Sequence, residues 1–373
     1  MSSSELERIR ALSSIFSRDR PADGRVLVGI GDDAAVLAPS VEPLVWTIDA
    51  AVEGVHFRRA WLTFEDIGYR STMAAVSDLA AMAADPLGVL SALVLPPNVT
   101  DDDLYALARG QREAATACGA EVIGGNLARG IELSITTTAL GRAPSPAPRA
   151  GARPGDALWL LGPVGLAAAG LRFLAGGITR TEPTVATEHP QFARAIEAWR
   201  RPRARIAEGL TLRNVATAAV DISDGLARDV GHLAQASTVR AVLEAAAFEA
   251  PAPRAAVSEP AAFEAPASEA AASEAAASEA AAFEPIAGDA EALELATLHA
   301  SAKALGASAL DLALFGGEDY AIAFTAPADA RVPGAARIGR IEAIPEGERP
   351  GVMIERRDGS REPVSGGGFD HFK

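Results

Sequence analysis

The sequence predicts an α/β protein of two domains, and three observations lead there. Short β-branched runs alternate with runs of helical period. The 373 residues, 49% of them hydrophobic, exceed the roughly 100 to 200 that one domain usually takes. One Pro- and Ala-rich stretch, 143 to 154 (APSPAPRAGARP), has the composition of an extended connection. It separates an N-terminal domain, 1–150, from a C-terminal α/β domain, 151–373.

Ser4 and Glu7 form an S-x-x-E capping box before Leu6, Ile9, Leu12 and Phe16, so the chain opens on a helix. Strands follow at 25 to 30 (RVLVGI) and 44 to 49 (LVWTID), bounded by Pro, Gly and Asp. Trp46 is expected to pack within its strand. A helix from Phe64 to Ala84 ends at Asp85-Pro86. After the strand at 88 to 95, Thr100 caps a helix led by Asp101, Asp102 and Asp103. Acids in a first turn are favoured by the helix dipole, so this triplet is read as structural. Strands at 121 to 124 and 131 to 140 complete a mixed sheet of ββαβαββ type.

The second half opens on a strand at 157 to 161, followed by helices near 165 to 175, 190 to 199 and 204 to 211. A strand at 217 to 221 and a helix at 224 to 236 come next, with further strands near 319 to 325, 336 to 341 and 351 to 355. Residues 245–285 interrupt this order with repeated AAFEAPA and ASEAA units. They hold too little apolar surface to fold firmly, so they read as a low-complexity, disordered insertion.

Composition excludes several functions. The net charge of -15 argues against nucleic acid and anionic membranes as partners. Seven glutamates against Arg254 in the insertion supply six of those charges. The single Cys118 excludes an intrachain disulfide and is expected to be a small core residue. No signal-peptide pattern opens the chain and no stretch is apolar enough to span a membrane, so the expectation is a cytoplasmic protein. Lys303 and Lys373 are the only lysines, and no GxxxxGK[ST] loop occurs. Phosphate charge would have to be met by metal ions, arginine and backbone amides.

Acids also stand where a fold does not ordinarily place them, beside glycine at strand ends or inside an apolar helix. They are Asp32 and Asp33 in GIGDDAAVL, Asp49 in TIDAAVEGVHF, Asp78 in AAVSDLAAMAADP, and Asp221 and Asp224 in AAVDISDGL. Each alone also reads as a turn, a polar helix face or a cap. Gathered together, they would repel one another unless cations intervene, and magnesium prefers oxygen ligands shared with phosphates. His189, His232 and His299 have no partners at ligand spacing and read as surface or core residues.

These motifs, with FGGEDYAIAFT and the terminal GGFDHF, closely resemble the thiamine-monophosphate kinase family of the wider aminoimidazole-ribonucleotide synthetase superfamily. The resemblance runs from the first helix to the end of the chain, omitting the insertion. It implies ATP-dependent phosphorylation of thiamine monophosphate to thiamine diphosphate, by direct in-line transfer through several Mg2+ ions. By the same resemblance, Asp33, Thr47, Ile48, Asp49, Asp78, Asn126, Asp221 and Asp224 would stand at the metal positions, Ile48 through its carbonyl. Gly125, Asn126, Arg149 and Ser223 would contact ATP, and His56, Glu318 and Phe369 the thiamine substrate. His371 lies close to that site. A homodimer with paired N-terminal sheets is also implied.

Two positions depart from the family pattern. Asn126 stands where an Asp is usual, and Leu166 replaces an Asp after glycine. An amide oxygen still ligates magnesium but brings no charge. The alternative is therefore a relative that binds nucleotide or thiamine phosphate without efficient turnover. Selenophosphate synthetase and hydrogenase-maturation activities would call for reactive cysteines that the motifs do not supply. The purine-pathway synthetases share the fold by analogy, but VSDLAAMAADP and GGEDY favour the thiamine enzyme. Deleting residues 251 to 283 is expected to leave kinase activity intact, as measured by ADP release; a large loss would give that segment a function.

Overall fold

The computed structural model describes residues 4–17, 24–176, 189–249, 287–364 and 367–368. Most of the insertion, Phe369 and His371 lie outside the described residues. Among the described residues, no helix is long and apolar enough to cross a membrane.

The N-terminal half begins with α1 (Glu5–Phe16), where Ser4 and Glu7 close the capping box. A small antiparallel pair follows, β1 (Val26–Val28) with β2 (Val36–Leu37). The main sheet contains β3 (Leu44–Val52), β4 (Asp85–Leu95), β5 (Val122–Arg129) and β6 (Ser134–Arg142), in the order β3-β6-β4-β5. Only β4 and β5 run parallel. Two helices cover one face: α2 (Phe64–Ala81) and α3 (Asp101–Ala117). The Asp triplet caps α3 as expected, with Asp103 and Thr100 bonded reciprocally. Asp101 pairs with Arg8 of α1 at 2.6 Å.

The other sheet face is open. Side chains alternate along a strand, so Leu44, Trp46 and Ile48 point together away from the helices, 59%, 71% and 67% exposed. The expectation that Trp46 packs inside its strand is therefore corrected. Its strand is an edge, and the face that Trp46 occupies carries no helix.

All but four of the 18 residues of α2 are buried, polar ones included. The reason is close packing on several sides. A Cβ added at Gly68 would stand 2.0 Å from the Leu107 carbonyl oxygen, and one at Gly110 1.9 Å from that of Glu65. Glycine thus lets the backbones of α2 and α3 touch. At the far end Gly209 plays the same part against Ala80, where a Cβ would meet the carbonyl oxygen at 2.2 Å. The helix expected to reach Ala84 stops at Ala81, because Asp85 and Pro86 already belong to β4.

Residues 143 to 154 form no helix or strand but are not loose. Ala143 and Ala147 are buried, and the Ala147 amide bonds the Met82 carbonyl. Beyond them lies a seven-stranded sheet of β7 (Asp156–Leu161), β8 (Ala218–Ile222), β9 (Arg240–Glu244), β10 (Ala321–Pro327), β11 (Ala335–Glu342), β12 (Gly351–Glu355) and β13 (Arg361–Pro363). Its order is β13-β12-β9-β11-β7-β10-β8, antiparallel except between β9 and β12. Around it run α4 (Leu166–Ala175), α5 (Pro190–Arg200), α6 (Ile206–Leu210), α7 (Leu226–Ser237), α8 (Ala287–Leu305) and α9 (Ala309–Phe315).

Sequence reading missed β9, which runs straight into alanine-rich chain. A short 3₁₀ turn, Ala245–Phe248, follows it, and Ala245 and Phe248 are buried in the core. Packed structure thus extends a few residues into the segment read as an insertion. Cys118 is buried beside Met73, as a core thiol, its pKa pushed up to about 12 by burial. Leu166, at the first position of α4, is also buried. There the amides of Gly165 and Ala167 donate instead to the Asp319 carboxylate, at 2.7 and 3.2 Å.

Two predictions follow from this packing. Gly110→Ala forces a methyl into the Glu65 carbonyl, and should cost about 2 kcal/mol or more even after the helix-propensity gain of roughly 1 kcal/mol; urea unfolding reads this, and an unchanged midpoint would refute it. Burial raises the Asp319 carboxyl from 3.8 to about 7, against the two amide bonds. The folded state then holds more protons than the unfolded chain across that window. This stability is complete below the lower value and declines as pH rises through the upper one. The stability difference between wild type and Asp319→Asn should therefore fall with pH by up to about 1.4 kcal/mol per unit, and a flat difference would count against it.

Candidate active site

The N-terminal half meets the C-terminal half along α2, and the acids converge there. Asp78 points from α2 toward β3, where the Thr47 hydroxyl bonds its carboxylate. One residue earlier, the Ser77 hydroxyl donates to Asp221 of β8 at 3.1 Å. Helical and strand geometry thus set two acids from distant segments side by side. Asp221 is 5% exposed. Burial pushes its carboxyl well above the ordinary range, and Asp78 and then Asp229 push it further. Burial also raises Asp78, with Thr47 opposing and Asp49 adding to the shift.

Among the described residues, neither Asp78 nor Asp221 forms an ion pair. The nearby positive charge is Arg149, which lowers both carboxyls. Two carboxylates held together in a desolvated place keep protons unless a cation replaces them. Among the described residues, no three His, Cys, Asp or Glu side chains form a ready metal cage. Magnesium does not demand one, because it usually takes one or two carboxylates and completes its shell with water and substrate phosphate. The Asp78 and Asp221 pair fits such an ion.

Beyond β8 the chain turns through Ser223 and Asp224 into α7. Asp229 in α7 accepts both of their amides on one oxygen, at 3.1 and 3.0 Å. Arg228 lies 3.6 Å from the Asp224 carboxylate. Burial raises the Asp229 carboxyl to about 7, the Asp224 amide bond opposing.

A second group lies beside the first. Asp49, His56, Arg70, Glu318 and Tyr320 line one cavity with Phe57, Ile67 and Ser71. The Val52 amide donates to His56 Nδ1 at 3.1 Å, which places the ring proton of the neutral form on Nε2. Arg70 is buried, pairs with Glu318, bonds the Trp199 carbonyl, and lies 4.7 Å over the Trp199 ring. Burial lowers the Arg70 pKa and raises that of the Tyr320 phenol. The cavity encloses about 20 Å³, room for a water molecule. A larger ligand must lie at its mouth or displace a side chain.

Glu318 and Tyr320 both adopt left-handed backbone, φ +70° and +49°. The strain is held by the end of β8 and the residue after it, as the Glu318 amide donates to the Ser223 carbonyl and the Tyr320 amide to the Ile222 carbonyl, both at 2.8 Å. Non-glycine residues in such conformations concentrate at functional sites.

The expected site residues therefore divide. Thr47, Asp49, Asp78, Arg149, Asp221, Ser223 and Asp224 gather at the junction, with His56 and Glu318 in the adjoining cavity. Asp33 is exposed in a turn, its amide on the Asp32 carboxylate at 2.8 Å. Among the described residues, no hydrogen bond or ion pair joins it to Asp49, Asp78, Asp221 or Asp224. Ile48 points its side chain to the open face of the sheet. Gly125 and Asn126 are on β5, at the edge opposite β3. Asn126 aligns with Ala92, Thr136 and Ala50 across the sheet, on the open face. Three strand spacings separate those edges, about 14 Å, so within one copy Asn126 and Asp49 cannot share an ion. Phe369 lies outside the described residues.

Sequence reasoning missed Arg70, Ser77, Asp229, Asp319 and Tyr320. Ser77 and Tyr320 lie within quoted motifs, beside acids already singled out. Arg70 and Asp229 look like ordinary polar positions of amphipathic helices until the tertiary fold buries them.

Residues 31–143 match the family model described as AIR synthase related protein, N-terminal domain, and residues 153–306 match the corresponding C-terminal domain. The thiamine-monophosphate kinase of Salmonella typhimurium is 37% identical over 229 residues, 61% of this chain and 68% of that protein. The Aquifex aeolicus enzyme of the same name is 30% identical over 92% of both chains. Among solved structures, AaThiL complexed with AMPPCP and TMP superposes with a TM-score of 0.68 at 28% identity, covering 92% of each chain. The thiamine-monophosphate kinase of Stenotrophomonas maltophilia K279a gives 0.67 at 32% identity, over 96% of this chain and 98% of that one. Hydrogenase maturation protein HypE shares the fold, at 17% identity and a TM-score of 0.64. At 37% identity over 68% of one such kinase and 30% over 92% of another, with the fold of their solved structures, the chain belongs to the thiamine-monophosphate kinase family.

Proposed function

We propose that this protein phosphorylates thiamine monophosphate to thiamine diphosphate with ATP. The observation that carries this reading is the meeting of the half-buried Asp78 with the buried Asp221 between the two halves, with hydroxyl partners but no ion pair among the described residues. Such a pair suits a divalent cation that arrives with phosphate. The mouth of the adjoining cavity, with the acids Asp49 and Glu318 and the donor His56, would take the cationic ring of thiamine.

Magnesium, when bound, would screen the repulsion between the two phosphate groups. Asp78 and Asp221 would hold it, with Asp49 as a further acid beside Asp78, Thr47 as a hydroxyl there, and Asp224 at the turn that follows Asp221. Arg149 would meet phosphate charge, and Ser223 would offer a hydroxyl at the turn. An oxygen of the substrate phosphate attacks the γ-phosphorus of ATP, the bond to the bridging oxygen breaks, and ADP leaves. The attacking phosphate, with a second pKa of about 6, is largely ionised at neutral pH. No general base and no covalent phosphoenzyme are then required, and the protein chiefly positions and neutralises.

The open face bearing Leu44, Trp46 and Ile48 supports the homodimer that the family resemblance implies, since a second sheet laid there would cover these side chains. It would also be a means of bringing Gly125 and Asn126 of another copy toward a junction that they do not reach within their own.

A coupled ADP assay tests this reading. ADP release should require both thiamine monophosphate and magnesium, and Asp78→Asn should lower kcat/KM by about 100-fold or more. Asn126→Asp should reduce the magnesium concentration needed for half-maximal rate. Tight binding of both ligands with no turnover in the wild type would instead identify a relative that binds without catalysis.

A further inference from the structure

We infer that Asp229 is a positioning residue, whose carboxylate fixes the Ser223 and Asp224 turn in the shape that nucleotide and metal require. The inference rests on the proposed function. It comes from the hydrogen bonds of that turn, which is held on both backbone edges. On the amide edge, a single oxygen of Asp229, Oδ2, accepts from Ser223 at 3.1 Å and Asp224 at 3.0 Å. On the carbonyl edge, Ile222 and Ser223 accept from Tyr320 and Glu318 at 2.8 Å.

Asp229 is only 4% exposed, and a carboxylate so buried is costly unless its acceptor capacity is used. Its other oxygen faces His232 Nδ1 at 3.9 Å, beyond a hydrogen bond. The two amides are therefore its main partners. An acid in the first turn of α7 reaches back past Gly225, the residue before the helix, to bind the chain that leads into it. A helix normally needs no such contact, since its own first amides are the ones left orphaned.

The turn cannot relax into another shape at low cost. Gly225 has φ +120°, and a Cβ there would stand 2.8 Å from the Gly316 carbonyl oxygen. A Cβ on Gly317 would stand 2.5 Å from the Ser223 carbonyl oxygen. With the carbonyl edge fixed in this way, the amide edge decides where the Ser223 hydroxyl and the Asp224 carboxylate point. The bonds converge on one oxygen, so the position of that acceptor sets the turn.

This separates two variants. Asp229→Asn keeps an oxygen at the same distance from the backbone and loses the charge. Asp229→Glu keeps the charge and displaces the oxygens by one methylene. Rates would be measured against MgATP and against thiamine monophosphate, with binding of a non-hydrolysable ATP analogue by calorimetry in magnesium and melting curves for each variant.

Asp229→Asn should stay close to wild type. Asp229→Glu should weaken the analogue and raise KM for MgATP on the order of tenfold to a hundredfold, while KM for thiamine monophosphate changes little. The reverse order, with Glu tolerated and Asn impaired, would overturn the inference in favour of a charge effect. So would loss of melting temperature in both variants with nucleotide binding unchanged. If the wild type binds the analogue but does not turn over thiamine monophosphate, the proposed function fails, and calorimetry on the two variants still decides the role of Asp229.

Discussion

Two carboxylates from segments 143 residues apart, the half-buried Asp78 and the buried Asp221, lie next to each other where the halves of the molecule meet. Packing alone would not place them so, because each pushes the other toward its protonated form and neither has a salt-bridge partner among the described residues. Much of the surrounding structure serves to hold them there. Ser77 and Thr47 each spend a hydroxyl on one acid, and α2 is packed tightly enough that it cannot turn Asp78 outward.

The central position of α2 explains an otherwise odd sequence. A helix with Asp66, Arg70, Ser71, Thr72 and Ser77 all buried would be unstable in an isolated domain, since buried polar groups need partners. Here the partners come from every side. Asp66 caps its own helix and meets Arg201, Ser71 and Thr72 bond the Gly68 carbonyl, and Arg70 reaches Trp199 and Glu318. The helix is polar because it lies between two halves of a site and not between a core and solvent.

The GGEDY segment has a similar double character. Its side chains alternate in purpose: Glu318 toward the cavity, Asp319 onto the amides at the start of α4, Tyr320 back into the cavity. Its backbone bonds the end of β8. One short stretch therefore ties the cavity of His56 to the turn of Ser223 and Asp224. The buried apolar Leu166 is tolerated at the start of α4 because the acid that serves the helix amides comes from residue 319.

The sequence by itself determined the α/β class, the order of most elements, the capping box at Ser4, the cap at Thr100, and the family, because these depend on local periodicity, caps and contiguous motifs. It also marked the acids, since carboxylates beside glycine or within apolar helix stand out without any fold. Only the tertiary structure decided which of them meet. It separated Asn126 from Asp49 through strand order, exposed Trp46 by leaving a sheet face uncovered, and made Arg70 and Asp229 functional candidates by burying them. β9 escaped notice because alanine-rich chain masks a strand whose stability comes from its neighbours in the sheet. Pairing between distant strands, and the desolvation that follows from it, are long-range properties that local sequence patterns do not contain.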